Sequence, residues 1–200
     1  MRTLILIYSL FLVSSTALSQ NCSKYYPMEE GTSFQYTMTN KKGKTEGITD
    51  YSITNVENTG GVTTASMNMK FTDEKGKEIF VSDYKLSCTG DVVKIDYNSL
   101  VPAQMMKQYT DMGVEMTGMN MNIKVDQLNR IVEKKESVTT PAGTYECYVI
   151  TQDNVSETMG VKQTMQSKLW LAEGVGMVKQ ETYNKKGDLM SKSELTSFKK

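Results

Sequence analysis

Histidine is missing from all 200 residues of this chain. Its absence removes the Ser–His and Cys–His nucleophile pairs, the usual histidine-based zinc sites and the commonest general base near neutral pH. An excess of either charge is missing too, because 23 basic residues face 23 acidic ones. Losing Arg2 with an N-terminal leader would leave 22 against 23, so the mature chain carries no nucleic-acid footprint. The lysines gather in turns rather than along one face, which also excludes a polybasic membrane patch. Long apolar runs are absent except at the start. Leu4 to Val13 is interrupted only by Ser9 and reaches roughly half the ~20 residues a spanning helix needs.

That opening run, preceded by Arg2 and followed by Ser14-Ser15-Thr16-Ala17-Leu18-Ser19, reads as a secretory signal peptide over residues 1–19. Ala17 and Ser19 suit cleavage after Ser19, and Ser15 with Ala17 offers a second frame two residues earlier. Lipid attachment at Cys22 would want a small residue before it, but Asn21 stands there, so an ordinary cleaved export signal is expected. The remainder, residues 20–200, is long enough for one β-rich domain, exported and either periplasmic or secreted. Three cysteines in an oxidising compartment allow one disulfide and leave one thiol over. Cys147 lies mid-strand and reads as a small buried hydrophobe, so Cys22 and Cys88 are the expected pair.

What is present is mostly two-residue alternation, the mark of half-buried strands. Phe34, Tyr36 and Met38 alternate with polar neighbours, as do Ala65, Met67, Met69 and Phe71, and again Met119, Met121, Ile123 and Val125. Further strands are expected over Ile79 to Cys88, Val92 to Tyr97, Tyr145 to Thr151, Met159 to Leu171, Val175 to Tyr183 and Leu189 to Phe198. Hairpin signals separate them, among them Asn40-Lys41-Lys42-Gly43-Lys44, Asp73-Glu74-Lys75-Gly76-Lys77 and Asn184-Lys185-Lys186-Gly187-Asp188. The turns recur while the strands between them do not match, so this is not a repeat protein. One segment departs from the pattern: Val101, Met105, Tyr109 and Met112 fall on one side of a helix, with Pro102 in its first turn and Gly113 as its stop. The expected fold class is mainly β, an antiparallel meander forming a curled sheet or partly open barrel, with one short helix.

Few chemistries survive this inventory. Asp73-Glu74 is an adjacent carboxylate pair, but it sits in a lysine-bearing turn and reads as a solvated hairpin tip. Gly174-Val175-Gly176 starts like a dinucleotide loop, yet Lys179 holds the third glycine position and no helix pattern follows, so a strand-to-strand turn or bulge is expected. The 15 methionines leave three readings open. Residues two apart on a strand project from one face about 6.6 Å apart, so Met67 with Met69, or Met119 with Met121, could aim paired thioethers at Cu(I). The same faces continue into Phe71 and Ile123, which suits a packed wall or the lining of an apolar pocket. Met67, Met69, Phe71, Met119, Met121 and Ile123 are therefore the candidate ligand-lining residues; no metal site or cofactor is assigned.

Two stretches near the C-terminus carry a likeness. Thr139-Thr140-Pro141-Ala142-Gly143-Thr144-Tyr145-Glu146-Cys147-Tyr148 and Trp170-Leu171-Ala172-Glu173-Gly174-Val175-Gly176-Met177-Val178-Lys179-Gln180-Glu181 resemble the exported bacterial proteins grouped as domain of unknown function 3108-like, or TapB-like. The likeness extends more loosely through Cys22 to Pro27 and Tyr84 to Cys88. It implies a curled antiparallel sheet or partly open barrel in the cell envelope and supplies no catalytic residues, so Pro141, Gly143, Trp170, Gly174 and Gly176 read as fold markers. Leu171 departs from the pattern, standing where an aromatic is expected, which would alter a groove. Two functions follow. One is a non-enzymatic envelope protein holding an apolar ligand or polypeptide segment in the curled sheet. The other is an assembly module with a filled core that binds another envelope protein.

Overall fold

The structure, a computed structural model, describes residues 24–90, 92–95, 124–158 and 161–200. The expected leader 1–19, Cys22, the helix expected around Val101 to Met112, and Met119, Met121 and Ile123 lie outside the described residues.

Ten strands form one antiparallel sheet: β1 Ser33–Asn40, β2 Thr45–Thr59, β3 Val62–Asp73, β4 Glu78–Thr89, β5 Val92–Ile95, β6 Lys124–Thr140, β7 Gly143–Thr158, β8 Val161–Ala172, β9 Gly176–Tyr183 and β10 Leu189–Lys199. Their spatial order is β5-β4-β3-β2-β1-β10-β9-β8-β7-β6. Two meanders thus spread outward from a central β1–β10 pair, which sets Phe34 opposite Phe198 and Tyr36 opposite Leu195. Among the described residues β5 and β6 do not pair, so the sheet is unclosed.

Hairpin chemistry is repeated in three places. The Asn40 side-chain oxygen accepts the N–H groups of Lys42 and Lys44 at 3.0 and 3.2 Å, and Asp73 does the same for Lys75 and Lys77 at 2.9 Å each. Asn184 repeats it with Lys186 and Asp188 at 2.8 and 3.0 Å. Each side chain satisfies donors that the turn removes from the ladder. The Asp73 carboxyl is held below its ordinary range chiefly by the Lys77 backbone bond, which makes it a turn acceptor. Glu74 pairs with Lys44 across the neighbouring turn at 3.2 Å.

Two strands were not legible as strands. On β2 the inward face is Gly47, Thr49, Tyr51 and Ile53, too mixed to show apolar alternation. β6 overlaps the expected Met119 to Asp126 run only at its start, and register shifts at Leu128/Ile131 and Val132/Lys134 break its period. Such bulges put successive residues out of phase with the pleat, which is why Leu128, Ile131 and Val132 are 50%, 60% and 58% exposed.

Apolar residues pack on both faces. One cluster joins Phe34, Tyr36, Ile53, Ala65, Met67, Tyr84, Leu86 and Leu195. The other joins Cys147, Val149, Trp170 and Ala172 with Val178 of β9; the first four alternate along β7 and β8 with Tyr148, Ile150, Leu169 and Leu171 and so face the opposite way. Leu195, Val149 and Val178 are fully buried, each worth about 1.5–3 kcal/mol relative to an exposed side chain. The Trp170 indole N–H donates to the Glu136 carboxylate, and Lys179 Nζ lies 4.3 Å from the ring centre, so a cation and an anion cover this second cluster.

Candidate ligand cavity

Cross-strand register assembles one wall from the first half of the chain. Phe34 faces Tyr51, Ile53 faces Met67, and Met67 faces Tyr84, so aromatic and aliphatic side chains from four successive strands share a surface. The Tyr36 and Tyr51 rings meet edge to face at 5.8 Å, and Tyr51 and Tyr84 at 6.5 Å. The buried Tyr36 hydroxyl donates to the Met177 carbonyl at 2.8 Å. Burial pushes the pKa of Tyr36 well above the ordinary phenol range and raises that of Tyr51, so both stay neutral and present ring surface rather than a base.

The second half of the chain supplies a wall of different character. Gln152 faces Ser167, Ser167 faces Thr182, Asn154 faces Met165, and Leu171 faces Met177. Residues from both halves line one cavity of about 480 Å³, among them Tyr36, Met67, Tyr84, Gln152, Ser167 and Leu171. The two halves of the sheet therefore curl toward each other. One side of the cavity is aromatic and aliphatic; the other mixes apolar residues such as Leu169 and Leu171 with the hydrogen-bonding side chains of Gln152, Asn154 and Ser167 and the guanidinium of Arg130.

A short N-terminal strap completes the enclosure. Tyr25, Tyr26, Pro27 and Met28 all line the cavity. The β8–β9 turn pins this strap: the Gly174 N–H donates to the Lys24 carbonyl at 2.7 Å, and Lys24 pairs with Glu173 at 3.3 Å. Gly176 has φ +96°, and a Cβ there would stand 3.2 Å from the Tyr25 carbonyl oxygen. Glycine meets both demands at once, positive φ and close approach of a second backbone. Tyr25 then packs edge-on against Tyr148 at 5.9 Å. Gly174-Val175-Gly176 is a strand-to-strand turn with a register shift beside it at Trp170/Leu171.

The expected site residues divide as follows. Met67 is buried and lines the cavity. Met69 is half-buried on the same face and packs against the first cluster. Phe71 stacks on Phe80 at 5.5 Å and lies against Gly47, at the far end of that face. Trp170 sits on the opposite face, whereas its neighbour Leu171, the departure from the motif, lines the cavity. Pro141 is exposed in the β6–β7 turn. Gly143 follows it, with the Tyr145 hydroxyl donating back to the Ala142 carbonyl at 2.9 Å. Cys147 is free and fully buried, and burial, with Glu146 and Glu136 nearby, pushes its thiol up to about 11. Among the described residues no group of three or more His, Cys, Asp or Glu side chains could hold a metal ion. The polar lining of Gln152, Asn154 and Ser167 gave no sequence signal, because polar residues alternating along a strand look like a solvent face.

A family model of DUF3108-like proteins matches residues 29–123 and 116–195. Two solved structures share the fold. One is a protein from Bacteroides fragilis inferred to be exported and described as having a YmcC-like fold, 18% identical, TM-score 0.66, covering 90% of this chain and all 100% of its own. The other is a lipoprotein candidate from Parabacteroides distasonis, 20% identical, TM-score 0.65, with the same coverage of 90% and 100%. No curated protein matches the chain at a significant level. With both halves of the sheet inside the matched ranges, the chain belongs to the DUF3108-like family.

Proposed function

We propose that this is an exported, non-enzymatic envelope protein that holds an apolar ligand in the concavity of its curled sheet. The observation that carries this reading is the cavity of about 480 Å³ with one continuous wall of Phe34, Tyr36, Tyr51, Ile53, Met67 and Tyr84. That volume falls within the roughly 300–1,000 Å³ of small-molecule sites. An assembly module with a filled core would have no use for such a space. Export is supported by the leader sequence and by the descriptions given to the two solved relatives. A non-enzymatic role is supported by the lack of histidine and by the neutral state of the buried tyrosines.

Titration with diphenylhexatriene, a wholly apolar fluorophore, tests the reading. Saturable fluorescence enhancement on the folded protein is expected. Leu171→Phe, which puts an aromatic ring at the cavity wall, is expected to weaken that binding by reducing the space. Absence of saturable binding would leave the filled-core assembly module as the better account.

A further inference from the structure

Gln152 is 5% exposed, lines the cavity, and its side-chain oxygen Oε1 has no hydrogen-bond partner. Buried polar atoms are nearly always paired, so an orphan acceptor facing a cavity calls for a donor from outside the chain. Its neighbours in the side-chain ladder do not supply one. Gln152 Nε2 donates to Asn154 Oδ1 at 2.9 Å, and Asn154 Nδ2 donates to Ser167 Oγ at 2.6 Å. The donors of this ladder run away from Gln152 and leave its oxygen as the free end.

A cation stands across from it. Leu128 pairs with Asp153 and Ile131 with Thr151, so Asn129 and Arg130 form the β6 bulge opposite Gln152. Asn129 holds the bulge, with φ 52° and its side-chain amide donating to Asp153 at 2.7 Å. Arg130 lines the cavity, is exposed at its rim, and has no hydrogen-bond or ion-pair partner among the described residues. An unpaired guanidinium at a rim suits a carboxylate or phosphate oxygen.

Building on the cavity proposed above, we infer that the ligand is an anionic amphiphile: its acidic head meets Arg130, an N–H or O–H next to the head donates to Gln152 Oε1, and its alkyl chain lies along Tyr36, Tyr51, Met67 and Tyr84. Arg130 and Gln152 stand opposite each other on β6 and β7, and the aromatic wall comes from the other half of the sheet, so the one cavity offers an anion contact, a donor contact and a hydrocarbon surface. A plain hydrocarbon would leave the Gln152 oxygen buried and unmet.

N-lauroylglycine and N-lauroylsarcosine test this directly, because they differ only in carrying N–H or N–CH₃ beside the same chain and carboxylate. Calorimetric titration of the wild-type mature chain below their micellar concentrations should show the glycine compound binding about tenfold more tightly, the effect of one donor lost at a buried acceptor. Gln152→Leu should abolish that preference, and Arg130→Gln should weaken both compounds. Equal affinity of the two compounds for wild type, with diphenylhexatriene still bound, would overturn this inference and leave the cavity reading standing. Failure of all three probes would overturn both. Should Gln152→Leu not fold, the wild-type comparison alone decides.

Discussion

Gly176→Ala set beside Gly174→Ala measures how firmly the strap is held. Both glycines have positive φ, +73° at Gly174 and +96° at Gly176, so alanine at either position incurs backbone strain of about 1–2 kcal/mol. Only Gly176 has a neighbour in the way. An added Cβ at Gly174 meets nothing within 4 Å, while at Gly176 it meets the Tyr25 carbonyl oxygen at 3.2 Å and the Pro27 Cδ at 3.6 Å. The oxygen belongs to a backbone and cannot rotate aside, so the strap must move by a few tenths of an ångström. Its Lys24 carbonyl is fixed by the Gly174 N–H at 2.7 Å, which resists that shift. Gly174→Ala should therefore cost about 1–2 kcal/mol. Gly176→Ala should cost roughly 1 kcal/mol more, at the low end of overpacking penalties. Urea denaturation at neutral pH reads both numbers. Repeating the pair in a chain beginning at Met28 removes Tyr25 and Pro27 and should collapse the difference. If Gly176→Ala costs no more than Gly174→Ala in the full chain, or if the difference survives the truncation, the strap is not what demands glycine at 176.

Met67, 6% exposed between Ile53 and Tyr84, should tolerate leucine at under about 1.5 kcal/mol and lose about 2–5 kcal/mol as alanine. Titration with Cu(I) runs alongside: tight wild-type binding lost in Met67→Leu or in the Met119→Leu, Met121→Leu pair would refute the wall and restore the thioether reading. The Cys147 thiol, raised from 9.0 to about 11 and fully buried, favours the native state below pH 9. Above that pH the unfolded chain loses its proton first, so stability should fall by up to about 1.4 kcal/mol per unit until near pH 11. The decline between pH 9 and 10 should be shallower in Cys147→Ala than in the wild type, with buried phenols such as Tyr36 supplying the remainder; an unchanged slope there would refute the assignment. With Cys147 free, Cys22 is the one thiol left for Cys88, and we propose that pair. Non-reducing peptide mapping should recover it, breaking it should cost about 2–4 kcal/mol, and a bond to Cys147 would overturn it.

The period-two runs around Phe34, Met67 and Tyr84, and the repeated Asx-Lys-Gly turns at Asn40 and Asn184, were legible because alternation and turn chemistry are local properties. They determined an antiparallel β protein, the absence of histidine determined which chemistries it lacks, and the Pro141 and Trp170 motifs pointed to its family. β2 and most of β6 stayed hidden for equally local reasons, a mixed inward face at Gly47 to Ile53 and two bulges after Leu128. The tertiary structure decided the rest. Pairing β1 with β10 joins the first and last strands, and no local pattern announces a contact between residues so far apart in sequence. That single pairing turns two meanders into one curled sheet, placing the aromatic wall of β1–β4 opposite the polar ladder of Gln152, Asn154 and Ser167. Whether an alternating glutamine faces water or a cavity depends on what the far half of the sheet puts in front of it, and only the curl supplies that.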